Sequence, residues 1–202
     1  MVKFLIKPTI CLRVKISATK NIKCMMSFNL IVACTLSGGI GMNNALPWNL
    51  PQDMKNFYKL TVSTFDPLKS NAVIMGRKTW ESLPKRLNKR INVVISSTLT
   101  DADGMVRATS LDDALNKLKA LENVETIFVI GGSRLYQDAI CHEQCQHAYV
   151  TWIHKQFECD AFFPVALFNQ NFTRDHMIAQ DHCENDILYS MTTYQRINKI
   201  EL

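Results

Sequence analysis

Gly41-Met42-Asn43-Asn44-Ala45-Leu46-Pro47-Trp48-Asn49-Leu50-Pro51-Gln52-Asp53 puts two prolines, a tryptophan and a single carboxylate into one short stretch. It follows an apolar run, Phe28 to Leu36 (FNLIVACTL), and leads into residues spaced as on a helix. Pro51 suits the first helical position, where a missing N–H breaks no intrahelical bond. From there Met54, Phe57, Tyr58 and Leu60 recur at three- and four-residue intervals, which predicts a helix from Pro51 to about Val62 with that face on a core. At about 100° per residue Asp53 falls between Phe57 and Leu60, on the edge of the apolar stripe. The helix dipole alone favours an acid in the first turn. An acid beside an apolar face is otherwise either satisfied by a neighbour or placed to receive a ligand's donors. Burial there would raise its pKa and the helix N-terminus would lower it, so the sign stays open.

Working outward, the run from Phe28 to Leu36 reads as a strand apolar on both faces, as in a sheet covered by helices on each side. Ser37-Gly38-Gly39-Ile40-Gly41 after it imitates a dinucleotide fingerprint, but Asn44 stands where the third glycine belongs, and no helix follows directly. The paired glycines predict a slack stretch of backbone. Downstream, Asn71 to Met75 is a buried strand that enters Gly76-Arg77-Lys78-Thr79-Trp80-Glu81-Ser82-Leu83, a glycine turn opening a short helix. Free N–H groups there, with Arg77 and Lys78, suit a phosphate. Ile91 to Ser97 is a strand ending in the hydroxyls of Ser96 and Ser97. Thr126 to Ile130 is another, followed by Gly131-Gly132-Ser133 and a helix carrying Leu135, Tyr136 and Ala139. Polar groups thus gather repeatedly at strand carboxyl ends, where open α/β sheets bind ligands. Between these lie a short strand at Met105-Val106 and a helix capped by Ser110 over Leu111, Ala114, Leu115, Leu118 and Leu121. Segments 147–153, 172–179 and 187–194 alternate and predict antiparallel edge strands.

At 202 residues and with no internal linker, the chain is read as one domain, residues 28–202, behind a basic extension, residues 1–27. The extension holds six of the 23 basic residues and no acid, in the manner of a mitochondrial presequence or of a start upstream of a true one at Met25 or Met26. The remainder carries 17 basic against 18 acidic residues, so the net charge of +5 does not describe a nucleic-acid-binding body. No apolar run is long enough for a membrane helix. The seven cysteines are scattered and odd in number, which fits a reducing compartment. Cys141-His142-Glu143-Gln144-Cys145-Gln146-His147 has permissible metal-ligand spacing, but no second pair completes a set of four, so a polar connection is expected there and no metal.

Taken in order, Ile31–Ala33, Gly39–Asp53, Val73–Ser82, Arg90–Ser97, Ile130–Tyr136, Val150–Thr151 and Asp160–Pro164 resemble the dihydrofolate reductases over residues 28 to about 196. The resemblance implies an α/β fold with a central eight-stranded, mostly parallel sheet, an antiparallel C-terminal edge and four flanking helices. It implies NADPH-dependent hydride transfer to 7,8-dihydrofolate, giving 5,6,7,8-tetrahydrofolate for one-carbon and thymidylate metabolism, in a family targeted by antifolates. Carried over to this chain, Asp53 holds the pterin's N3 and 2-amino group, supported by Thr151. Leu46 and Trp48 belong to the same catalytic loop. Ile31 and Ile130 flank the pterin with backbone carbonyls, Met54, Phe57 and Leu83 wall the substrate, and Arg90 pairs with the glutamate α-carboxylate. The cofactor meets Ala33, the loop Gly39, Ile40, Gly41, Met42, Asn43, Asn44 and Ala45, then Gly76, Arg77, Lys78, Thr79, Ser96 and Ser97. Gly131, Gly132, Ser133, Arg134, Leu135, Tyr136 and Gln137 complete its site, with Arg77 and Ser97 on the 2′-phosphate and a cis peptide at Gly131–Gly132.

Hydride transfer needs neither a nucleophile nor a metal, and Asp53 is the one acid expected in the pocket. Ala161, where many bacterial relatives have threonine, and the altered spacing of Pro84–Lys89 depart from the family pattern. The related reductase of riboflavin synthesis shares the fold without the Leu-Pro-Trp loop, and a non-catalytic folate binder would bind NADPH without consuming it. The expected protein is a monomeric enzyme with dihydrofolate as its small-molecule partner and no nucleic acid or membrane. It is placed in the cytoplasm, or in mitochondria if residues 1–27 act as a presequence.

Overall fold

The computed structural model describes residues 26–100, 104–175 and 180–198. In chain order its first half contains β1 (Phe28–Thr35), β2 (Gly39–Gly41), α1 (Pro51–Val62), β3 (Ser70–Gly76), α2 (Arg77–Ser82), β4 (Arg90–Ile95), β5 (Val106–Ala108) and α3 (Leu111–Lys119). The second half contains β6 (Val124–Val129), α4 (Ser133–Cys141), β7 (Cys145–Ile153), β8 (Ala161–Phe162), α5 (Val165–Asn171), β9 (Phe172–Arg174), β10 (Gln180–Glu184) and β11 (Ile187–Arg196).

The main sheet runs β10-β11-β7-β1-β6-β3-β4-β5, with β9 added beside β11. From β7 to β5 every pairing is parallel, and the pairings of β11 are antiparallel. The mostly parallel eight-strand path and its antiparallel C-terminal end are as expected. On β1 the side chains of Phe28, Leu30, Val32 and Cys34 are buried in one core, beside Leu115, Leu118, Tyr136 and Phe168. A second core on the opposite face gathers Val73, Met75, Val94 and Phe128, with Ile31 and Leu83 packed against it. The parallel strands therefore align their carboxyl ends, with Thr35, Gly76, Ile95 and Val129 along one rim.

Three expectations change. Segments 147–153 and 187–194 are not edges: β7 lies between β1 and β11, and β11 between β7 and β10. The alternation of 147–153 is real, with Ala148, Val150 and Ile153 buried, but its polar positions mark a site under α1 rather than a solvated face. There are five described helices rather than four. The added one, α5, is organised by Phe168, which stacks on Phe172 at 5.0 Å and 14° and meets Tyr194 edge-on. Helix α3 ends at Lys119, with Ala120 as its cap, leaving Leu121 39% exposed. Its start is as read: the Asp113 N–H donates to Ser110 Oγ at 3.1 Å, and Asp113 Oδ2 accepts from the Thr109 N–H at 2.8 Å. Of segment 172–179, only β9 forms a described strand, while residues 176–179, like all of the extension before Met26, lie outside the described residues. The Cys141–His147 segment runs from the end of α4 through a three-residue turn into β7, where His142 Nε2 lies 3.0 Å from Asp112 Oδ1 and burial pushes the Cys145 thiol up to about 12. No described helix is long and apolar enough to cross a membrane.

Candidate active site

Helix α1 crosses the sheet where β1 and β7 are neighbours, with Ala33 in register with Thr151. There the Thr151 hydroxyl donates to Asp53 Oδ1 at 2.8 Å, across 98 residues of sequence. The Asp53 pKa is raised: burial raises it most, the Thr151 bond lowers it, the Glu184 charge raises it and His182 lowers it. The sign left open by the sequence is therefore upward. Glu184 also corrects the expectation of a single acid. It comes from β10, and its carboxylate accepts the Gln52 N–H at 2.9 and 3.2 Å, beside Asp53.

The apolar face of α1 reaches a core only at Leu60, which packs against the cluster of Val73, Met75, Val94 and Phe128. Thr61 is its one buried residue, Met54 and Tyr58 are 48% and 44% exposed, and Phe57 and Leu60 are half-buried. Ile31 on β1 and Leu83 after α2 pack against the same core, and the exposed part of the α1 face beside them is one wall of the candidate cleft. Arg90 closes its outer end: Nη1 donates to Thr61 Oγ1 at 2.8 Å, Nε donates to Asn88 O at 3.1 Å, and the guanidinium lies 5.3 Å from the Tyr58 ring centre and 5.8 Å from that of Phe57. Burial lowers the Arg90 pKa and Tyr58 raises it, without discharging a group of this strength. Ile31 O accepts the Tyr136 hydroxyl at 2.9 Å, and the Ile130 N–H donates to Ile74 O at 2.9 Å.

On the other side of the rim the turns after β3 and β6 touch. The Gly76 N–H donates to Gly131 O at 2.7 Å, and a Cβ on Gly76 would lie 3.8 Å from Gly131 O and Gly132 N. Thr79 Oγ1 stands 3.4 Å from where a Gly132 Cβ would be. The Gly131–Gly132 peptide is cis, as expected. These glycines make a cradle that side chains would fill, at the opening of α4. Ser133, Arg134 and Gln137 line an adjoining open cavity of about 600 Å³ with Phe162 and Pro164. Leu135 and Tyr136 turn into the core, at 6% and 4% exposure, so they present no side chain to this cavity. Lys78 is exposed. Arg77 is exposed too and already paired with Glu81 at 2.8 Å. At the end of β4, Ser96 Oγ accepts the N–H groups of Thr98 and Leu99, and Ser97 is exposed. Arg107 of β5 adds a cation there through bonds to Ser96 O and Ser97 O. It was not anticipated, since a lone arginine on a short strand carries no motif.

The loop from Gly39 to Ala45 is a small hairpin, not a slack segment. Met42 and Ala45 exchange backbone bonds of 2.9 and 3.0 Å, and the tip residues Asn43 and Asn44 have φ of 51° and 60°. That is the two-residue turn for which asparagine is favoured. Asp160 laces the tip down: its Oδ2 accepts the Asn43 N–H at 2.9 Å, and its own N–H donates to Gly41 O at 2.9 Å. Ile40 and Gly41 are half-buried against β8, whereas Leu46 is 51% exposed. Trp48 is buried with Leu50, Ile153 and Tyr189, and its indole N–H has no partner among the described residues.

Comparison with known proteins agrees with this geometry. The family model for dihydrofolate reductase matches residues 27–196. The chain is 44% identical over 153 residues to a dihydrofolate reductase of Pneumocystis carinii, covering 69% of this chain and 74% of that one. To a dihydrofolate reductase of Aedes albopictus it is 36% identical over 187 residues, covering 87% of this chain and 100% of that one. A bifunctional dihydrofolate reductase-thymidylate synthase of Arabidopsis thaliana is 38% identical over 181 residues, covering 85% of this chain. The chain spans about a third of that longer relative, 32%. An acid at the head of α1 bonded to a threonine of β7, a glycine cradle at the sheet rim and a match over nearly the whole described chain lead to one assignment: this protein belongs to the dihydrofolate reductase family.

Proposed function

We propose that this chain reduces 7,8-dihydrofolate to 5,6,7,8-tetrahydrofolate with NADPH as the hydride donor. The observation that carries the reading is the Asp53–Thr151 pair in the cleft. Thr151 takes one lone pair of Oδ1 and orients the group, leaving Oδ2 and the second lone pair of Oδ1 for a ligand with two adjacent donors, such as the N3–H and 2-amino group of a pterin. Ile31, Met54, Phe57 and Leu83 offer apolar contact to flat rings, and Arg90 offers a guanidinium to a carboxylate at the cleft's outer end. The residues present fit the cofactor: the Gly76 and Gly131–Gly132 cradle and the opening of α4 suit its phosphates, while Arg77, Ser97 and Arg107 suit a 2′-phosphate. When bound, a reduced nicotinamide supplies the hydride. Asp53 anchors the pterin and, as an anion, favours proton uptake at N5. The proton itself arrives through water. Asp53 and the bound pterin then titrate as a pair, and turnover falls as pH rises through the pair's apparent pKa.

The experiment is the absorbance loss of NADPH on mixing enzyme, NADPH and dihydrofolate. Consumption that depends on dihydrofolate supports the reading. Tight binding of NADPH with no consumption would instead favour a non-catalytic folate-binding protein.

A further inference from the structure

We infer that Glu184, at the tip of the β10–β11 hairpin, is a positioning residue for this reduction, holding the first turn of α1 so that Asp53 meets the substrate at a fixed place. The inference rests on the function proposed above. Helix α1 begins without a side-chain cap: Leu50 supplies none, and Pro51 has no N–H. Gln52 carries the helix's first free donor, and both oxygens of Glu184 take it, from 132 residues away. The adjacent Asn185 donates from Nδ2 to Asn49 O at 2.8 Å. Two consecutive residues of one hairpin therefore grip the loop–helix junction on either side of Pro51. The grip is stiff, because Asn185 and Asp186, with φ of 52° and 57°, form a tight two-residue turn.

The same carboxylate acts through its field. Near the Asp53 carboxyl group are Glu184 and His182 of β10 and Tyr189 of β11, while β7 contributes the uncharged hydroxyl of Thr151. His182 stacks on Tyr189 at 5.3 Å, and neither His182 Nε2 nor the Tyr189 hydroxyl has a hydrogen-bond partner among the described residues. Glu184 raises the proton affinity of Asp53 and His182 opposes it.

Glu184→Gln keeps the size and one acceptor oxygen but removes the charge. Glu184→Ala removes both. The test measures kcat and KM for dihydrofolate and NADPH against pH in wild type and both variants, with thermal unfolding and the NMR shift of the Gln52 amide alongside. The expected result for Glu184→Gln is an acid-ward move of the inflection in kcat, a several-fold loss of rate at neutral pH and an unchanged KM for NADPH. Glu184→Ala should add a several-fold rise in the KM for dihydrofolate and an upfield shift of the Gln52 amide proton. Folded Glu184→Gln enzyme with the wild-type pH profile would overturn the inference, as would an inflection moved to higher pH. A lowered Tm with the pH profile unmoved would make Glu184 merely structural and also overturn it. If wild type fails to consume NADPH with dihydrofolate, the proposed function fails instead, while the Gln52 amide still reports whether the grip exists.

Discussion

At the scale of single residues, Asp53 was legible because helical spacing alone puts it at the edge of an apolar stripe. What surrounds it was not. Thr151 stands 98 residues away, and only the family resemblance named it. Glu184 lies on an alternating strand where nothing distinguishes it from a solvated acid. Asp53→Asn keeps the shape but turns one acceptor into a donor facing the pterin's donors. Turnover at neutral pH should fall on the order of 10²-fold or more, recovering partly as pH falls, while NADPH affinity holds. The same substitution should stabilise the free protein. An acid whose folded pKa is raised contributes most below its unfolded pKa, and that contribution is lost as pH rises through the folded one. Asp53→Asn should therefore raise Tm at neutral pH and leave it little changed below about pH 4, near the unfolded pKa. Calorimetry at the two pH values checks this. Arg77 is paired with Glu81, so on the proposed function it would exchange that partner for a 2′-phosphate. Arg77→Ala should thus weaken NADPH relative to NADH by about 1–2 kcal/mol, and Glu81→Gln should tighten NADPH, both readable by fluorescence titration.

Among the elements, α1, β3, β6 and the cap of α3 follow from local signals: proline at a helix start, apolar runs between glycines, a serine three residues before an acid. The sequence misled where one pattern had two causes. Alternation in 147–153 belongs to an interior strand whose Thr151 meets Asp53, and the apolar stripe of α1 is only partly covered, with Leu60 on a core and Met54 and Tyr58 exposed. Gly38 and Gly39 read as slack, yet they are where the hairpin loop packs most closely. Gly38 has φ of 89°, and a Cβ there would come within 2.5 Å of Phe163 O, while one on Gly39 would meet Cys159 Sγ at the same distance. Gly38→Ala should therefore destabilise by about 2 kcal/mol or more, combining left-handed strain with a backbone clash. Denaturant unfolding measures it, and a change within a few tenths of a kcal/mol would show that the loop yields.

For the whole molecule, the parallel pairings from β7 to β5 bring the turns at Gly39–Ala45, Gly76, Ser96 and Gly131 to one rim, although up to about ninety residues separate them. The C-terminal strand locks this arrangement. Arg196 on β11 donates from Nε to Cys145 O and from Nη2 to Ile140 O and His142 O, at 2.6, 2.7 and 2.8 Å, and lies over the Phe172 ring. It thereby covers the last carbonyls of α4, whose other end opens onto the glycine cradle. Arg196→Ala should lower stability by about 2–3 kcal/mol with little change in KM, as unfolding and steady-state assays on the same preparation would reveal. The central claim is that this rim and the Asp53 cleft together deliver a hydride to a pterin. It is tested most directly by supplying NADPH deuterated at the nicotinamide carbon that gives up the hydride, and weighing the folate product by mass spectrometry. The account predicts tetrahydrofolate carrying one deuterium, at C6. Unlabelled tetrahydrofolate, or labelled NADPH left intact beside unreacted dihydrofolate, would contradict it.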